Sequence, residues 1–141
     1  MRIDIWSDVI CPFCWIGKQH LEAALESFRV EHPGIDVEVA WRAYELDPSA
    51  PRVVADEPGE TIAEMLARKY GMSRAEAEAG QEQMAARFRE LGLEFDWPSA
   101  RVCSTFDAHR LAALAAEHGR AAVARLTTEL AAGVRGQHTG R

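Results

Sequence analysis

The first 41 residues alternate between two hydrophobic periods, and this pattern constrains the fold more than any other feature of the chain. Residues 2–6 (RIDIW) place apolar side chains at every second position, as a short strand does. From Cys14 the apolar residues recur at helical spacing, until a His-Pro-Gly sequence at 32–34 ends the helix. Residues 35–41 (IDVEVAW) alternate again. Strand, helix and strand in about 40 residues predict a βαβ unit with parallel strands and a right-handed crossover.

Two cysteines lie at the point where the first predicted strand leads into this helix. Cys11 and Cys14 enclose Pro12 and Phe13. The first backbone N–H groups of a helix lack partners and the helix dipole is positive there, so we expect the pKa of the Cys11 thiol to be lowered toward neutral pH. Cys14 lies one turn later on the same face, from which its sulfur can reach Cys11. Pro12 suits the first turn because its missing N–H would be unpaired there anyway.

The spacing of these cysteines is compatible with three kinds of site: a redox pair, half of a zinc site, or two inert buried thiols. Zinc sites usually have four ligands, and the rest of the chain offers only Cys103 and five scattered histidines, so we predict no metal site. Inert thiols pack as small apolar side chains. Thiol–disulfide exchange is favoured because the pair lies between a strand and a helix in a βαβ unit.

The residues around the pair are expected to tune its chemistry. Phe13 brings neither a charge nor a hydrogen-bond donor near a thiolate, so we predict a dithiol that is less oxidising than pairs with histidine at this position. Lys18, four residues after Cys14, is expected to restore some positive potential. Trp15 is interpreted as a packing residue. Cys103 is interpreted as a buried small residue in preference to a third redox partner.

Beyond residue 45 the pattern becomes helical. A loop with three prolines is predicted over 46–60. Helices are predicted over 61–70, 73–91, 104–118 and 120–133. Ser73 and Glu76 form a capping-box pattern. Ser104 and Gly119 are the expected N-cap and C-cap of the third helix. We therefore divide the chain into an α/β unit (1–45), a helical domain (46–133) and a frayed tail (134–141).

The composition limits the classes of partner. Apolar residues make up 48% and charged residues 27% of the 141 residues, as in soluble globular proteins, and the net charge of −6 argues against nucleic acid as a partner. No apolar run approaches the roughly 20 residues that cross a bilayer, so no membrane partner is predicted. The N-terminus lacks the long uncharged stretch of a secretory signal, which predicts a cytoplasmic protein.

Three stretches of the chain together resemble the DsbA-like thioredoxin-fold oxidoreductase family. They are IDIWSDVICPFCWIGKQHLE, EVAWRAYELDPSAP and STFDAHRLAALAAEHG. The resemblance is strongest to the cytosolic branch named for frenolicin biosynthesis, whose members are also described as 2-hydroxychromene-2-carboxylate isomerase-like. It extends from residue 1 to about residue 130.

The resemblance implies an α/β fold in which a thioredoxin-like βαβ half over 1–45 is followed by a helical insertion domain. It implies Cys11 as the exposed nucleophile and Cys14 as the resolving thiol. The T-F-D-A-H-R-L stretch of the family, which begins here at Thr105, lies near the dithiol. Thr105 and His109 are therefore candidate borders of the active site. The alternative is a capped surface helix with a solvated His109.

The resemblance ends after Gly133. The family supplies there a second ββα half with a cis-proline loop that faces the dithiol, and nothing in this chain matches it. We therefore expect a truncated chain in which the C-terminal ββα half of the fold is absent. Two strands do not form an independently stable sheet, so a homodimer or an unstable chain is expected. Without the cis-proline loop we expect thiol reactivity with poor turnover of protein disulfides.

Three functions remain open at this point. The favoured one is a thiol–disulfide oxidoreductase that acts on protein or small-molecule disulfides and needs no bound cofactor. The second is a glutathione-dependent isomerase or transferase, of the 2-hydroxychromene-2-carboxylate isomerase or kappa-class glutathione transferase type. Those relatives usually carry serine where Cys11 stands, so cysteine favours redox exchange. The third is a non-catalytic domain that binds a partner protein.

Overall fold

The computed structural model of the protein describes residues 1–52, 59–117 and 119. These residues form strands β1 (Arg2–Ser7) and β2 (Glu38–Ala43), and helices α1 (Pro12–Glu31), α2 (Ile62–Tyr70), α3 (Arg74–Glu90) and α4 (Phe106–Glu117). The predicted helix over 120–133, the predicted tail over 134–141 and part of the predicted loop after β2 lie outside the described residues. Among the helices that are described, none is both long and apolar enough to cross a membrane.

The two strands form the parallel pair that the alternating pattern predicts. Their register runs from Arg2 opposite Glu38 to Ser7 opposite Ala43. The second strand was predicted over 35–41, and this boundary is wrong by about three residues at its start. The N–H of Glu38 donates to the carbonyl of Met1 at 2.9 Å, so the ladder begins where β1 begins. The residues before Glu38 have no β1 residue opposite them, whereas β2 extends to Ala43 because β1 extends to Ser7.

The sheet leaves large apolar side chains in contact with solvent. Trp6 is 64% exposed and Trp41 is 38% exposed. On the same strands, Asp4 accepts hydrogen bonds from Arg2 and Arg42 at 2.9 Å each. Exposed aromatic residues on a two-stranded sheet are the physical reason for the predicted homodimer, which stays a prediction.

Helix α1 begins at the cysteine pair. Cys11 is its N-cap, and Pro12 takes the first helical position, as predicted. The Sγ of Cys11 accepts a hydrogen bond from the backbone N–H of Cys14 at 3.4 Å, which is the bond that a serine or aspartate side chain makes at other helix starts. The helix ends at Glu31, and the N–H of His32 donates back to the carbonyl of Phe28 at 2.8 Å.

The buried side chains of the helical part are concentrated on α3. Five of its residues are buried: Ala77, Gln81, Met84, Ala85 and Phe88. Both α2 and α3 start with a capping box; that of Ser73 and Glu76 confirms the sequence prediction, and a second one joins Thr61 and Glu64. Gly71 ends α2 with a φ of +66°, which glycine adopts without strain.

The start of α4 differs from the prediction. Ser104 was predicted as its N-cap, but the N–H of His109 donates to the carbonyl of Thr105 at 3.0 Å, so the helix begins one residue later. Ser104 instead connects this turn to the loop after β2. Its N–H donates to the carbonyl of Pro51 at 2.9 Å, and its hydroxyl lies 3.3 Å from Glu45. Its hydroxyl also accepts the N–H of Phe106 at 3.2 Å, so Ser104 combines contacts across the fold with a local bond to the start of α4.

Candidate active site

Cys11 lies just after the carboxyl end of β1, in the short loop that leads into α1. Its backbone N–H donates to the carbonyl of Asp8 at 3.2 Å. Cys11 and Cys14 are both partly buried free thiols. The structure thus brings the two predicted catalytic thiols together at a helix N-terminus.

The pKa of the Cys11 thiol contradicts the sequence expectation. Burial raises this pKa to about 11, from an ordinary value of about 9, and the side chain of Cys14 adds to the increase. Backbone N–H groups of Cys14 and Phe13 lower the pKa, as expected for a helix N-terminus. The prediction of a pKa near neutral was wrong because the loss of hydration around the thiol outweighs these hydrogen bonds.

A raised pKa makes the thiolate scarce at neutral pH. Because burial raises the pKa of Cys11 to about 11, only a small fraction of this thiol is ionised at pH 7. The thiolate is the nucleophile, so the rate of attack by Cys11 should rise about tenfold per pH unit until the pH approaches the pKa.

Replacing Cys14 with alanine should lower the pKa of Cys11. The change removes the thiol side chain, which raises this pKa, and keeps the backbone N–H, which lowers it. The measurement is the rate of alkylation of Cys11 by iodoacetamide between pH 7 and 11, with the modified residue located by fragment mass spectra. Cys103→Ala is the parent and the control, since it removes the third thiol. A pKa of Cys11 that stays the same or rises in Cys14→Ala/Cys103→Ala would contradict this reasoning.

A cavity of about 570 Å³ opens beside Cys11. One wall is formed by the loop and first turn around the dithiol, including Pro12, Phe13 and Trp15. The opposite wall is formed by apolar side chains of α2 and α3, among them Met65, Leu66, Met84 and Phe88. The cavity therefore lies between the dithiol and the helical part of the chain. It favours an apolar group as the neighbour of the reacting sulfur.

Phe13 and Lys18 were predicted to flank the two cysteines, and the structure describes the surroundings of both. Phe13 borders the cavity and is 62% exposed. The ammonium of Lys18 lies 2.8 Å from Glu22 and 5.1 Å from the ring centre of Trp15. The proposed contribution of Lys18 to the potential at the thiol stays a prediction.

Thr105, which directly precedes α4, and His109, on α4, both lie near the loop that carries Cys11. Thr105 is buried and lines the same cavity as Cys11. The Nε2 of His109 is 3.2 Å from the Oδ1 of Asp8, and the imidazole is only 12% exposed. The alternative of a solvated histidine on a surface helix is therefore wrong.

Asp8 is the site residue that the sequence reasoning missed. Its carboxylate is 1% exposed, and its Oδ2 accepts the backbone N–H of Leu46 at 2.7 Å. A signal was present, since Asp8 is the charged residue three positions before Cys11 in an otherwise apolar stretch. Its partners could not be inferred, because one of them is 101 residues away.

The third cysteine of the chain, Cys103, lies near the same site. Cys103 is partly buried and lines the same cavity as Cys11. Burial raises the pKa of its thiol, and the negative charge of Asp8 raises it further. Within the part of the chain that the structure describes, no group of three or more histidine, cysteine, aspartate or glutamate residues is placed to hold a metal ion.

Comparisons with known proteins bear on this site. The family model described as DSBA-like thioredoxin domain matches residues 2–138. The crystal structure of a probable DsbA oxidoreductase from Streptomyces coelicolor matches with a TM-score of 0.82 and 37% sequence identity, over 99% of this chain and 56% of that one. The uncharacterized protein YwbO of Bacillus subtilis is 43% identical over 49 residues, which are 35% of this chain and 21% of YwbO. This chain thus spans little more than half the length of the Streptomyces protein.

Proposed function

Because this chain belongs to the DSBA-like thioredoxin domain family, we propose that Cys11 and Cys14 exchange disulfides with protein or small-molecule substrates. The fold is a partial thioredoxin fold of the DsbA-like kind, and the family is oxidoreductase-like. One observation carries the proposal. Cys11 caps the N-terminus of α1 beside an open cavity, with the N–H of Cys14 on its sulfur at 3.4 Å.

The proposed reaction has two steps. The Cys11 thiolate attacks one sulfur of a substrate disulfide, forms a mixed disulfide and releases the other sulfur as a thiolate that takes up a proton. The Cys14 thiolate then attacks the Cys11 sulfur and releases the second substrate thiol. The substrate gains two electrons and two protons, and the dithiol becomes a disulfide. The reverse sequence oxidises a substrate dithiol.

The environment of Cys11 supports a weakly oxidising pair. Strong thiol oxidants of this kind owe their potential to a stabilised reduced form. Burial raises the pKa of Cys11 to about 11, so its thiolate is not stabilised here, and Phe13 supplies no charge that would do so. Such a pair suits reduction or isomerisation of disulfides. It also suits the reducing cytoplasm, which is the predicted compartment.

The lining of the cavity supports substrates with an apolar group next to the disulfide. Side chains such as Met65, Leu66 and Met84 would contact that group. The two thiols complete the exchange unaided, so we propose no bound cofactor. Glutathione would take part as a reducing thiol, and calorimetric titration with glutathione distinguishes this role from the tight binding that an isomerase or transferase requires.

Insulin reduction coupled to dithiothreitol tests the proposed function. We expect slow turnover by the wild type and by Cys103→Ser, and loss of turnover in Cys11→Ser, because only Cys11 begins the exchange. Cys103→Ser is the matched control, since it removes a thiol of the same cavity. Turnover that survives in Cys11→Ser, or that is absent from the wild type, would contradict the proposal. Tight glutathione binding without insulin reduction would favour the isomerase or transferase instead.

A further inference from the structure

One buried carboxylate joins three separate segments of the chain beside the nucleophile. Asp8 belongs to the loop between β1 and α1. Its Oδ2 accepts the N–H of Leu46, from the loop after β2, at 2.7 Å. Its Oδ1 lies 3.2 Å from the Nε2 of His109, on α4. Its backbone carbonyl accepts the N–H of Cys11 at 3.2 Å.

The burial of Asp8 makes its two side-chain partners necessary. A carboxylate that is 1% exposed is strongly disfavoured unless it is paired and hydrogen-bonded. His109 is itself 12% exposed, so the contact is shielded from water and from salt. The position of His109 is fixed in turn at the start of α4, where the N–H of Ser104 donates to the carbonyl of Pro51 at 2.9 Å.

The segments that meet at Asp8 also enclose the cavity. Asp8, Leu46 and Thr105 all line it together with Cys11. The helical part of the chain is thereby attached to the same loop that carries the nucleophile. A displacement of this loop would move the sulfur relative to any substrate held by α2 and α3.

We propose that Asp8 and His109 act as a positioning pair for Cys11. The pair holds the loop over residues 8–11, so that the Cys11 sulfur keeps its partly buried position beside the cavity. This role rests on the proposed disulfide exchange and adds to it two residues that act through the position of Cys11. Catalytic sites lose rate steeply when the reacting atoms are misplaced by as little as 1 Å, so release of this loop should slow exchange.

Three variants separate positioning from a merely structural role. His109→Ala removes the partner of Asp8. His109→Gln is the conservative variant, since its side-chain amide can donate to Oδ1 near the place of the imidazole Nε2. Arg110→Ala is the matched control on α4, because Arg110 is exposed and pairs only with exposed Asp107 among the contacts that the structure records for it. All three are compared with the wild type at a temperature where circular dichroism shows each to be folded.

Two readouts are measured on each variant: kcat and KM of disulfide exchange, and the alkylation rate of Cys11 by iodoacetamide at pH 8. We expect His109→Ala to lower kcat about tenfold or more, with little change in KM. It should also speed alkylation of Cys11, because a released loop exposes the thiol and removes the burial that raises its pKa. His109→Gln should lie within about twofold of the wild type on both readouts. Arg110→Ala should match the wild type.

The result that would overturn the proposal is a His109→Ala protein with wild-type kcat and wild-type alkylation of Cys11. A His109→Gln protein as impaired as His109→Ala would overturn it as well. If His109→Ala does not fold, Asp8→Asn replaces it and must show the same two changes. Failure of the proposed function can be distinguished from failure of the positioning role. If the function fails, the wild type shows no disulfide exchange, but the alkylation rates still show whether Asp8 and His109 hold Cys11 in place.

Discussion

Replacing Cys14 with serine should leave substrate attached to Cys11 as a mixed disulfide. Cys14 follows Cys11 by one turn at the start of α1, so it attacks the mixed disulfide within the same molecule. An intramolecular thiol at this distance has an advantage over free thiols of roughly a hundredfold or more. Release of the substrate from Cys14→Ser should slow by about that factor, and intact mass spectrometry should show the adduct.

The third thiol provides the control for this experiment. Cys103 lines the same cavity as Cys11, and burial and the charge of Asp8 raise the pKa of its thiol. We expect Cys14→Ser and Cys14→Ser/Cys103→Ser to retain the adduct equally, and Cys11→Ser to form none. Release of substrate from Cys14→Ser at the wild-type rate would show that Cys14 is not the resolving thiol.

Truncation of Phe88 should destabilise the protein more than any other single change among the core residues that the structure describes. Phe88 is 0% exposed, and its ring stacks on Phe95 with centroids 4.7 Å apart. Removing a buried phenylalanine costs about 3–5 kcal/mol through lost burial and the space that remains. The free energy of unfolding of Phe88→Ala, measured in urea, should fall by that amount.

Phe106 is the matched control for Phe88. Its ring is exposed, with the guanidinium of Arg52 at 4.3 Å from the ring centre. An exposed cation–π contact is worth about 1 kcal/mol or less, so Phe106→Ala should be destabilised by no more than that. Equal effects of Phe88→Ala and Phe106→Ala would mean that the core is not centred on α3.

Local patterns in the sequence were sufficient where neighbouring residues decide the structure. The capping box of Ser73 and Glu76 needs only residues three positions apart, and it was predicted correctly. The alternation of apolar residues predicted both strands. The position of Cys11 directly before Pro12 predicted that Cys11 lies at a helix N-terminus. Each of these features depends on hydrogen bonds or side-chain directions within a few residues.

Features that depend on distant residues were missed or misjudged. The start of β2 depends on where β1 begins, because Glu38 pairs with Arg2. Ser104 is held by Pro51 and Glu45 as well as by the N–H of Phe106, the first residue of the helix that follows. The order of the sequence places these partners far apart, and only the folded chain brings them together.

The pKa of Cys11 is the instructive error at the site itself. The helix N-terminus acts on the thiol in the predicted direction, but burial acts against it and is stronger. Burial depends on how the folded chain surrounds the thiol, and the sequence of the CPFC motif contains no information on this. The motif therefore predicts which thiols react, whereas the surrounding fold decides how acidic they are.

The measurement that tests the central claim most directly is a redox titration of the whole chain against dithiothreitol and glutathione buffers. Mass mapping after each equilibration shows which cysteines are joined. We predict a reversible two-electron disulfide between Cys11 and Cys14, with Cys103 remaining a thiol. The reduction potential of this disulfide should lie closer to that of thioredoxin, about −270 mV, than to that of DsbA, about −120 mV, because the Cys11 thiolate is not stabilised. Absence of a disulfide between Cys11 and Cys14 at every potential would contradict the account.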